Sequence, residues 1–148
     1  MNEWQRNYAN SQTANNTNYA KARRIRNRIN DGLKNQYKNS SSLEMLGVKS
    51  FDEMFFWIES QFEKGMTWDN WRHNGWHLDH VRPLATFDFS DFEQRKTAFN
   101  WRNYQPLWGK ENMMKQNNYT SNDELAWVER MRALGYEGEL FLKFIVED

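Results

Sequence analysis

The sequence predicts an α+β fold, in which a two-stranded antiparallel hairpin and the helix after it are embedded among additional helices. Two observations predict this fold. Several segments carry apolar residues at helical spacing behind serine capping boxes. Between these segments lie two short strand-like runs, residues 76–81, which Pro83 ends, and residues 103–107. With 148 residues, the chain is long enough for one domain, or for one domain with an extension.

The first helices are predicted from apolar spacing. A helix is predicted from about Tyr19 to Tyr37, because Ile25, Ile29, Leu33 and Tyr37 recur at every fourth position and form one apolar stripe. Residues 43–46 predict one helical turn that ends at Gly47, and residues 109–117 predict a helix directly after the second strand. Three more helices are predicted where a serine precedes a glutamate by three residues: Ser50–Glu53, Ser90–Glu93 and Ser121–Glu124.

Glycines predict where two of these helices stop. Gly65 suits the end of the helix that begins after Ser50, and Gly135 follows the last predicted helix, which ends at Leu134. The middle helix is predicted to cover residues 91–99. The apolar run at residues 139–146 is too short to separate a helix from a strand.

The composition narrows the class of protein. Equal numbers of basic and acidic residues, 20 of each, exclude a uniformly basic coat protein for nucleic acid and a strongly acidic tail protein. The absence of cysteine excludes disulfides, a cysteine nucleophile and cysteine-ligated zinc. The sequence lacks the run of about 20 apolar residues that spans a bilayer. Its first residues lack the apolar core of a secretory signal, so we expect a cytoplasmic protein.

Basic charge is concentrated at the start of the chain. Residues 1–40 hold 8 Lys or Arg and 2 Asp or Glu, a balance of +6. The asparagine-rich residues 1–18 predict a flexible arm. The helix predicted after this arm carries four arginines, Arg23, Arg24, Arg26 and Arg28. They form either a solvated basic face or a set of phosphate contacts, and this segment alone favours neither.

Four residues in the second half of the chain are suited to phosphodiester chemistry. Asp79 and Asn112 offer oxygen atoms of the kind that Mg²⁺ or Mn²⁺ prefers. His80 can accept a proton near neutral pH, and Lys115 lies on the same helix face as Asn112. Each residue alone has an ordinary role as a turn, cap or solvated charge. A strictly alternating strand also places Asp79 and His80 on opposite faces, so the chemistry requires a twist or the strand's end there.

An ordered set of motifs surrounds these residues. It consists of Leu46-Gly47, Gly65-Met66-Thr67-Trp68, the segment WHLDHVRP from Trp76 to Pro83, NYQPLW from Asn103 to Trp108, and NMMK from Asn112 to Lys115. Over residues 43–118 the chain resembles the HNH endonucleases of the ββα-metal (His-Me finger) superfamily, in the form common in bacteriophages. The resemblance implies a ββα-metal unit made of the hairpin and the helix that follows it.

The resemblance also implies a role for each matched residue. Asp79 and Asn112 would bind one Mg²⁺ or Mn²⁺ ion, and His80 would be the general base that activates the attacking water. Asn103 would hold the hairpin loop and orient the catalytic histidine. Lys115 would contact the scissile phosphate.

Some positions leave alternatives open or depart from the family pattern. His77 matches the first histidine of the Trp-His-x-Asp-His run, and a structural hydrogen bond and a phosphate contact are both open for it. Val48 stands where many relatives have cysteine, so we expect no zinc site. The residues expected to contact DNA are Arg23, Arg24, Arg26, Arg28 and Arg82.

The sequence therefore predicts a metal-dependent DNA endonuclease that nicks DNA or cuts both strands. The competing hypothesis is a non-catalytic DNA-binding or virion- and packaging-associated module that keeps the same fold, and a third is an RNA-cleaving nuclease. We expect residues 19–118 to form the nuclease domain and residues 119–148 to form a helical extension packed on it. The expected partners are DNA and a second copy or a phage protein, with no membrane, in the cytoplasm of a phage-infected bacterium.

Overall fold

The computed structural model describes residues 2–3, 17–34 and 40–144. The α-helices in these ranges are α1 (Asn18–Gly32), α2 (Ser42–Leu46), α3 (Phe51–Ser60), α4 (Phe92–Phe99), α5 (Gly109–Lys115) and α6 (Ser121–Ala133). Strands β1 (Trp76–His80) and β2 (Tyr104–Trp108) pair antiparallel in a two-stranded sheet. Short 3₁₀ turns lie at Trp68–Asn70, Leu84–Thr86 and Trp101–Asn103. The α+β class, with one antiparallel hairpin and several helices, is therefore confirmed.

Two predicted regions fall partly or wholly outside the described residues. The arm predicted for residues 1–18 lies almost entirely outside them. The predicted first helix is present as α1, but the end predicted at Tyr37 also lies outside the described ranges. At the other end, residues 139–144 form neither helix nor strand.

Side-chain caps explain where the helices begin and correct one predicted start. The Ser50 hydroxyl accepts a hydrogen bond from the Glu53 N–H at 3.4 Å, so α3 begins where the sequence predicts. For α4, the cap is Asp91, whose carboxylate accepts from the Glu93 N–H at 3.0 Å. The Ser90 hydroxyl is not available because it donates to the preceding turn.

The start predicted for α6 is displaced by one residue. Thr120 is the N-cap, and it exchanges hydrogen bonds with Asp123 in a complete capping box. Glu124, the expected acidic member of the box, is instead fully buried. Its carboxylate accepts the backbone N–H groups of Lys143 and Phe144 at 2.6 and 2.7 Å. Glu124 therefore fixes the C-terminal segment on α6.

The core lies between α1, α3, the sheet and α6. Its fully buried side chains include Ile25, Ile29, Leu33, Leu46, Met54, Ile58, Trp76, Leu78, Phe99, Tyr104, Trp127 and Met131. Aromatic rings fill the region beside β1, where Trp71 and Trp76 stack with their centroids 5.3 Å apart. Burial of a few large rings reconciles the strongly polar composition with a packed core.

The link between β2 and α5 positions the candidate site. α5 begins directly after β2, with no intervening loop, and the Gly109 N–H donates to the Gly75 carbonyl at 2.9 Å. A Cβ atom at Gly109 would lie 2.9 Å from Nε2 of His77 and 3.1 Å from the His73 carbonyl. Gly109 therefore allows the start of the helix to approach β1 closely.

Candidate active site

Most of the predicted site residues meet on one face of the β1–β2–α5 unit. Side chains alternate along a strand, so His77 and Asp79 point to the same side of β1. Asn112 and Lys115, one turn apart on α5, meet them there. Nδ2 of Asn112 lies 2.9 Å from Nδ1 of His77, and the Lys115 ammonium lies 2.9 Å from Oδ2 of Asp79. We call these four residues, together with Gln105 opposite Asp79 in the register, the polar face.

Asp79 is the member of the polar face with the most contacts. Its Oδ2 accepts from the Lys115 ammonium and from Nε2 of Gln105, both at 2.9 Å. Among the described residues, Oδ1 accepts only from Lys115, at 3.2 Å. Lys115 also donates to the His80 carbonyl at 2.7 Å and thereby joins the carboxylate to the end of β1. The sequence analysis missed Gln105, and the signal that could have found it is its register opposite Asp79.

His80 lies on the other face of β1, as strict alternation requires. Its ring packs between Tyr104, at a centroid distance of 4.4 Å, and Phe99, at 5.6 Å. The residue is only 8% exposed, and Nδ1 is buried without a hydrogen-bond partner in the described part of the chain. His80 is the last residue of β1, but the strand end does not bring its ring to the side of β1 on which Asp79 lies.

The surroundings of His80 keep it neutral. Burial is the main cause that lowers its pKa to about 3, and the positive charges of Arg28 and Lys115 lower it further. The Ala98 carbonyl acts in the opposite direction. A neutral imidazole is the form of a general base that accepts a proton, but a base with this pKa is weak until its surroundings change.

Asn103 fixes the loop that follows β1. Its side chain is fully buried, and its Oδ1 accepts from the Arg82 N–H and from Nε1 of Trp127, both at 2.9 Å. Its Nδ2 donates to the Arg82 carbonyl at 3.1 Å and to the Ala98 carbonyl at 2.9 Å. Asn103 does not bond to His80 directly. The two residues are linked through Ala98, which lies beside the His80 ring.

The arginines of α1 divide into two groups. Arg23 and Arg26 are exposed to solvent, and the Arg26 guanidinium lies 4.8 Å from the Phe51 ring centre. Arg24 and Arg28, one turn apart, reach the segment that contains β1. Arg24 stacks on Trp71 at 3.6 Å and donates to its carbonyl at 2.8 Å.

Arg28 is the arginine of α1 that reaches the candidate site. Its guanidinium donates to the Leu78 carbonyl of β1, and the residue stays exposed. Its charge acts on both His80 and Tyr104. Arg28 and Lys115 therefore place positive charge around the end of β1.

Arg82, which the sequence analysis placed among the residues expected to contact DNA, is buried inside the protein. It is 1% exposed, and its guanidinium donates to the carbonyls of Leu140 and Phe141 at 2.8 and 2.7 Å. It also donates to the Thr86 hydroxyl at 2.8 Å and lies 4.0 Å from the Phe87 ring centre. A contact with DNA would require an exposed side chain, but the C-terminal segment folds back over Arg82.

Two members of the polar face, Gln105 and Lys115, line a cleft of about 530 Å³. Among the described residues, no group of three or more His, Cys, Asp and Glu side chains converges on one point. On the polar face, the amide nitrogen of Gln105 contacts the Asp79 carboxylate, and the amide nitrogen of Asn112 contacts His77. None of the helices in the described ranges is long and apolar enough to cross a membrane.

Comparison with known proteins places the chain beside two viral proteins. No family model and no solved structure matches the chain. The uncharacterised protein L426 of Acanthamoeba polyphaga mimivirus is 36% identical over 100 residues, which cover 66% of this chain and 42% of L426. The uncharacterised protein L246 of the same virus is 42% identical over 95 residues, 63% of this chain and 40% of L246. The chain thus spans about two fifths of the length of these relatives, whose names state no activity.

Proposed function

We propose that this chain is a metal-dependent DNA endonuclease of the HNH type. The observation that carries the proposal is the polar face, where the β1–β2–α5 unit brings Asp79, Asn112 and Lys115 together next to the strand end at His80. These are the residues that the ordered motifs single out, and the proposed ββα-metal unit is the hairpin with the helix that follows it. Asp79 lies on β1, whereas Asn112 and Lys115 lie on α5, so sequence spacing alone did not give the contact between Asp79 and Lys115.

The donors of the polar face fit a hard divalent cation. Mg²⁺ is commonly held by one or two protein oxygens and keeps several waters, so it does not need three acidic or imidazole ligands. Asp79 has one oxygen, Oδ1, with a single contact among the described residues, and Asn112 offers an amide oxygen. The Lys115 ammonium at 2.9 Å already places positive charge on the Asp79 carboxylate. When bound, the cation would supply electrostatic stabilisation of the phosphate and of the departing oxygen.

In the proposed reaction, His80 accepts the proton of the attacking water. The water oxygen bonds to phosphorus, the bond from phosphorus to the 3′ oxygen breaks, and the departing 3′ oxygen takes a proton from solvent water. The resemblance implies a 5′ phosphate and a 3′ hydroxyl as products. The phosphate of the substrate carries negative charge toward Arg28 and Lys115. Since these two cations lower the pKa of His80, their neutralisation would raise that pKa and strengthen the base. Burial, the larger cause of the lowered pKa of His80, is unaffected by this neutralisation, so the base is strengthened only in part.

The exposed arginines of α1 extend the proposed DNA surface beyond the site. Arg23 and Arg26 would supply sequence-independent affinity for phosphates, which should decrease steeply as salt rises. Arg28 is placed to contact the phosphates closest to the reaction, because it is the arginine that reaches β1. Both relatives are viral proteins, which supports a viral origin for the proposed enzyme. The phage-infected bacterium that the resemblance implies stays a prediction.

A second function has a specific observation in its favour. His80 is 8% exposed, and Asp79 is already paired with Lys115, which suits a module that binds DNA without cutting it. Such a module would bind duplex DNA equally well with Mg²⁺ and with a chelator. It would produce no cleavage under either condition.

Incubation of the full chain with supercoiled plasmid separates the two functions. We expect nicking in Mg²⁺ or Mn²⁺, none in chelator, and none in Asp79→Asn, which retains the shape of the side chain but loses its charge. A parallel RNA duplex tests whether DNA is preferred. DNA binding without any metal-dependent nicking would reject the nuclease proposal and support the binding module.

A further inference from the structure

His77 is the member of the polar face to which the proposed reaction assigns no task. It lies on β1 two residues before Asp79 and is partly buried. Its Nε2 lies 2.9 Å from the backbone carbonyl of His73. A carbonyl oxygen only accepts hydrogen bonds, so Nε2 carries the ring hydrogen.

This tautomer determines how the Asn112 amide is oriented. In the neutral ring, the second nitrogen, Nδ1, has a lone pair and accepts a hydrogen bond. Its partner at 2.9 Å is Nδ2 of Asn112, which therefore donates its N–H to His77. The amide oxygen Oδ1 then faces away from His77, and among the described residues it has no hydrogen-bond partner.

A glycine provides the space in which this arrangement forms. A Cβ atom at Gly109 would lie 2.9 Å from Nε2 of His77 and 3.1 Å from the His73 carbonyl, the two ends of the hydrogen bond. The backbone of Gly109 is outside the left-handed region, so its conformation does not by itself require glycine. Glycine is needed at this position because any side chain would crowd the contact between His77 and the His73 carbonyl.

We propose that His77 is a positioning residue, which orients the Asn112 amide so that Oδ1 is directed toward a divalent cation beside Asp79. This inference rests on the proposed function. An amide presents an oxygen at one end and hydrogen-bond donors at the other, and only the oxygen can bind a cation. The hydrogen bonds from His77 to the His73 carbonyl and from Asn112 to His77 hold the amide so that its oxygen is the end that faces the cation.

Cation affinity tests the relay without depending on catalysis. Isothermal titration calorimetry of the full chain with Mn²⁺ compares the affinity of wild type with that of two variants. His77→Phe retains a ring but loses both nitrogens. His77→Asn retains a hydrogen-bond acceptor near the position of Nδ1. Loss of a group that orients a metal ligand commonly weakens affinity by roughly 10–100-fold. We expect a loss in that range for His77→Phe and a loss of no more than about threefold for His77→Asn.

A double-mutant comparison separates positioning from general damage. In Asn112→Asp, both side-chain oxygens can bind the cation, so there is no amide left to orient. In that background, we expect His77→Phe to weaken Mn²⁺ binding by less than about threefold, against roughly tenfold or more in the wild type. An equal loss in both backgrounds would overturn the inference.

Two further measurements keep the test decisive if His77→Phe does not fold. Gly109→Ala leaves His77 in place but crowds its contact with His73, and we expect it to weaken Mn²⁺ binding in the same direction. Nitrogen NMR of the wild-type protein reports the tautomer directly, and hydrogen on Nδ1 instead of Nε2 would overturn the inference.

Asp79→Asn distinguishes failure of this inference from failure of the proposed function. If wild type binds Mn²⁺ and Asp79→Asn does not, the cation site is established, and unchanged affinity in His77→Phe then overturns only the positioning role. If wild type binds no Mn²⁺, both the cation site of the proposed function and the role of His77 are overturned.

Discussion

At the scale of single residues, Asn103 shows how one buried amide supports the site. All its hydrogen bonds are made inside the protein, to the backbone of Arg82, to Ala98 and to Trp127. The resemblance implied a role in holding the hairpin loop, and these contacts identify the groups that such a role would use. The amide oxygen accepts hydrogen bonds and the amide nitrogen donates them, so no apolar side chain can replace Asn103.

We predict that Asn103→Ala destabilises the protein strongly. The change leaves the Arg82 N–H and Nε1 of Trp127 buried without an acceptor, which should lower the free energy of unfolding by roughly 3 kcal/mol. Urea denaturation measures this loss. The exposed Asn117→Ala is the matched control and should lie within about 0.5 kcal/mol of wild type. Equal stability of the two variants would show that the Asn103 network contributes little.

His80 gives a pH-dependent prediction. Its pKa is about 3 in the folded chain and about 6.5 when unfolded, so between these values the unfolded state binds more protons. Stability should therefore be complete above pH 6.5 and should decrease as pH falls, by up to about 1.4 kcal/mol per pH unit. We expect His80→Phe to lack this part of the slope in urea denaturation from pH 7.5 to 4.5.

The control for this experiment is His73→Ala, which removes an exposed histidine and should keep the slope of the wild type. Other groups titrate over the same range, so the informative quantity is the difference between wild type and variant at each pH. A constant difference across the range would mean that His80 is not held neutral in the folded chain.

At the scale of elements, the C-terminal segment is attached to α6 and the β1 loop by two buried charges. Arg82 donates to the carbonyls of Leu140 and Phe141, and Glu124 accepts the N–H groups of the next residues. The charges of Arg82 and Glu124 also act on each other. This pair explains why a segment without helix or strand lies fixed on the domain.

We predict that Arg82→Met detaches this segment and destabilises the whole chain. It removes the donors for two backbone carbonyls, and each buried carbonyl left without a donor commonly costs roughly 1–3 kcal/mol. Urea denaturation and the rate of protease cleavage within residues 139–144 measure the effect. Arg23→Met, at an exposed position of α1, should change neither. A variant as stable and protease-resistant as wild type would contradict this account of Arg82.

The elements themselves were predictable because local signals determine them. Apolar spacing predicted α1, the run before Gly47 predicted α2, and Ser50 predicted the start of α3, although α3 ends at Ser60 and not at Gly65. The two strands were predicted within one residue at each end. The starts of α4 and α6 were harder, because Ser90 and Glu124 make tertiary or turn contacts that a capping pattern cannot reveal. Arg82 was misassigned for the same reason, since its burial depends on a segment about 58 residues away.

The sequence identified most residues of the polar face, but it did not determine their arrangement in space. Motif order identified Asp79, Asn112 and Lys115, and helix and strand periodicity explains why they share one face. Gln105 and the task of Gly109 depend on strand register and on a close approach of two elements. Neither is encoded by local spacing, so only the folded chain reveals them.

At the scale of the whole molecule, the formal net charge of the chain is zero, but positive charge is concentrated in one region. Arg28 from α1 and Lys115 from α5 approach the end of β1 from different elements, and both lower the pKa of His80. A phosphate at that point would meet two positive charges and a neutral base. The proposed enzyme therefore requires α1 in addition to the β1–β2–α5 unit, and it concentrates positive charge where the substrate reacts.

The most direct test of this account is the initial rate of supercoiled-plasmid nicking in Mn²⁺ for wild type, His80→Ala and the exposed Asn117→Ala. The account predicts nicking by wild type and Asn117→Ala at similar rates, and a loss of at least about 100-fold in His80→Ala, the usual contribution of a general base. Equal nicking by His80→Ala and wild type would contradict it, because the activity would then come from another site.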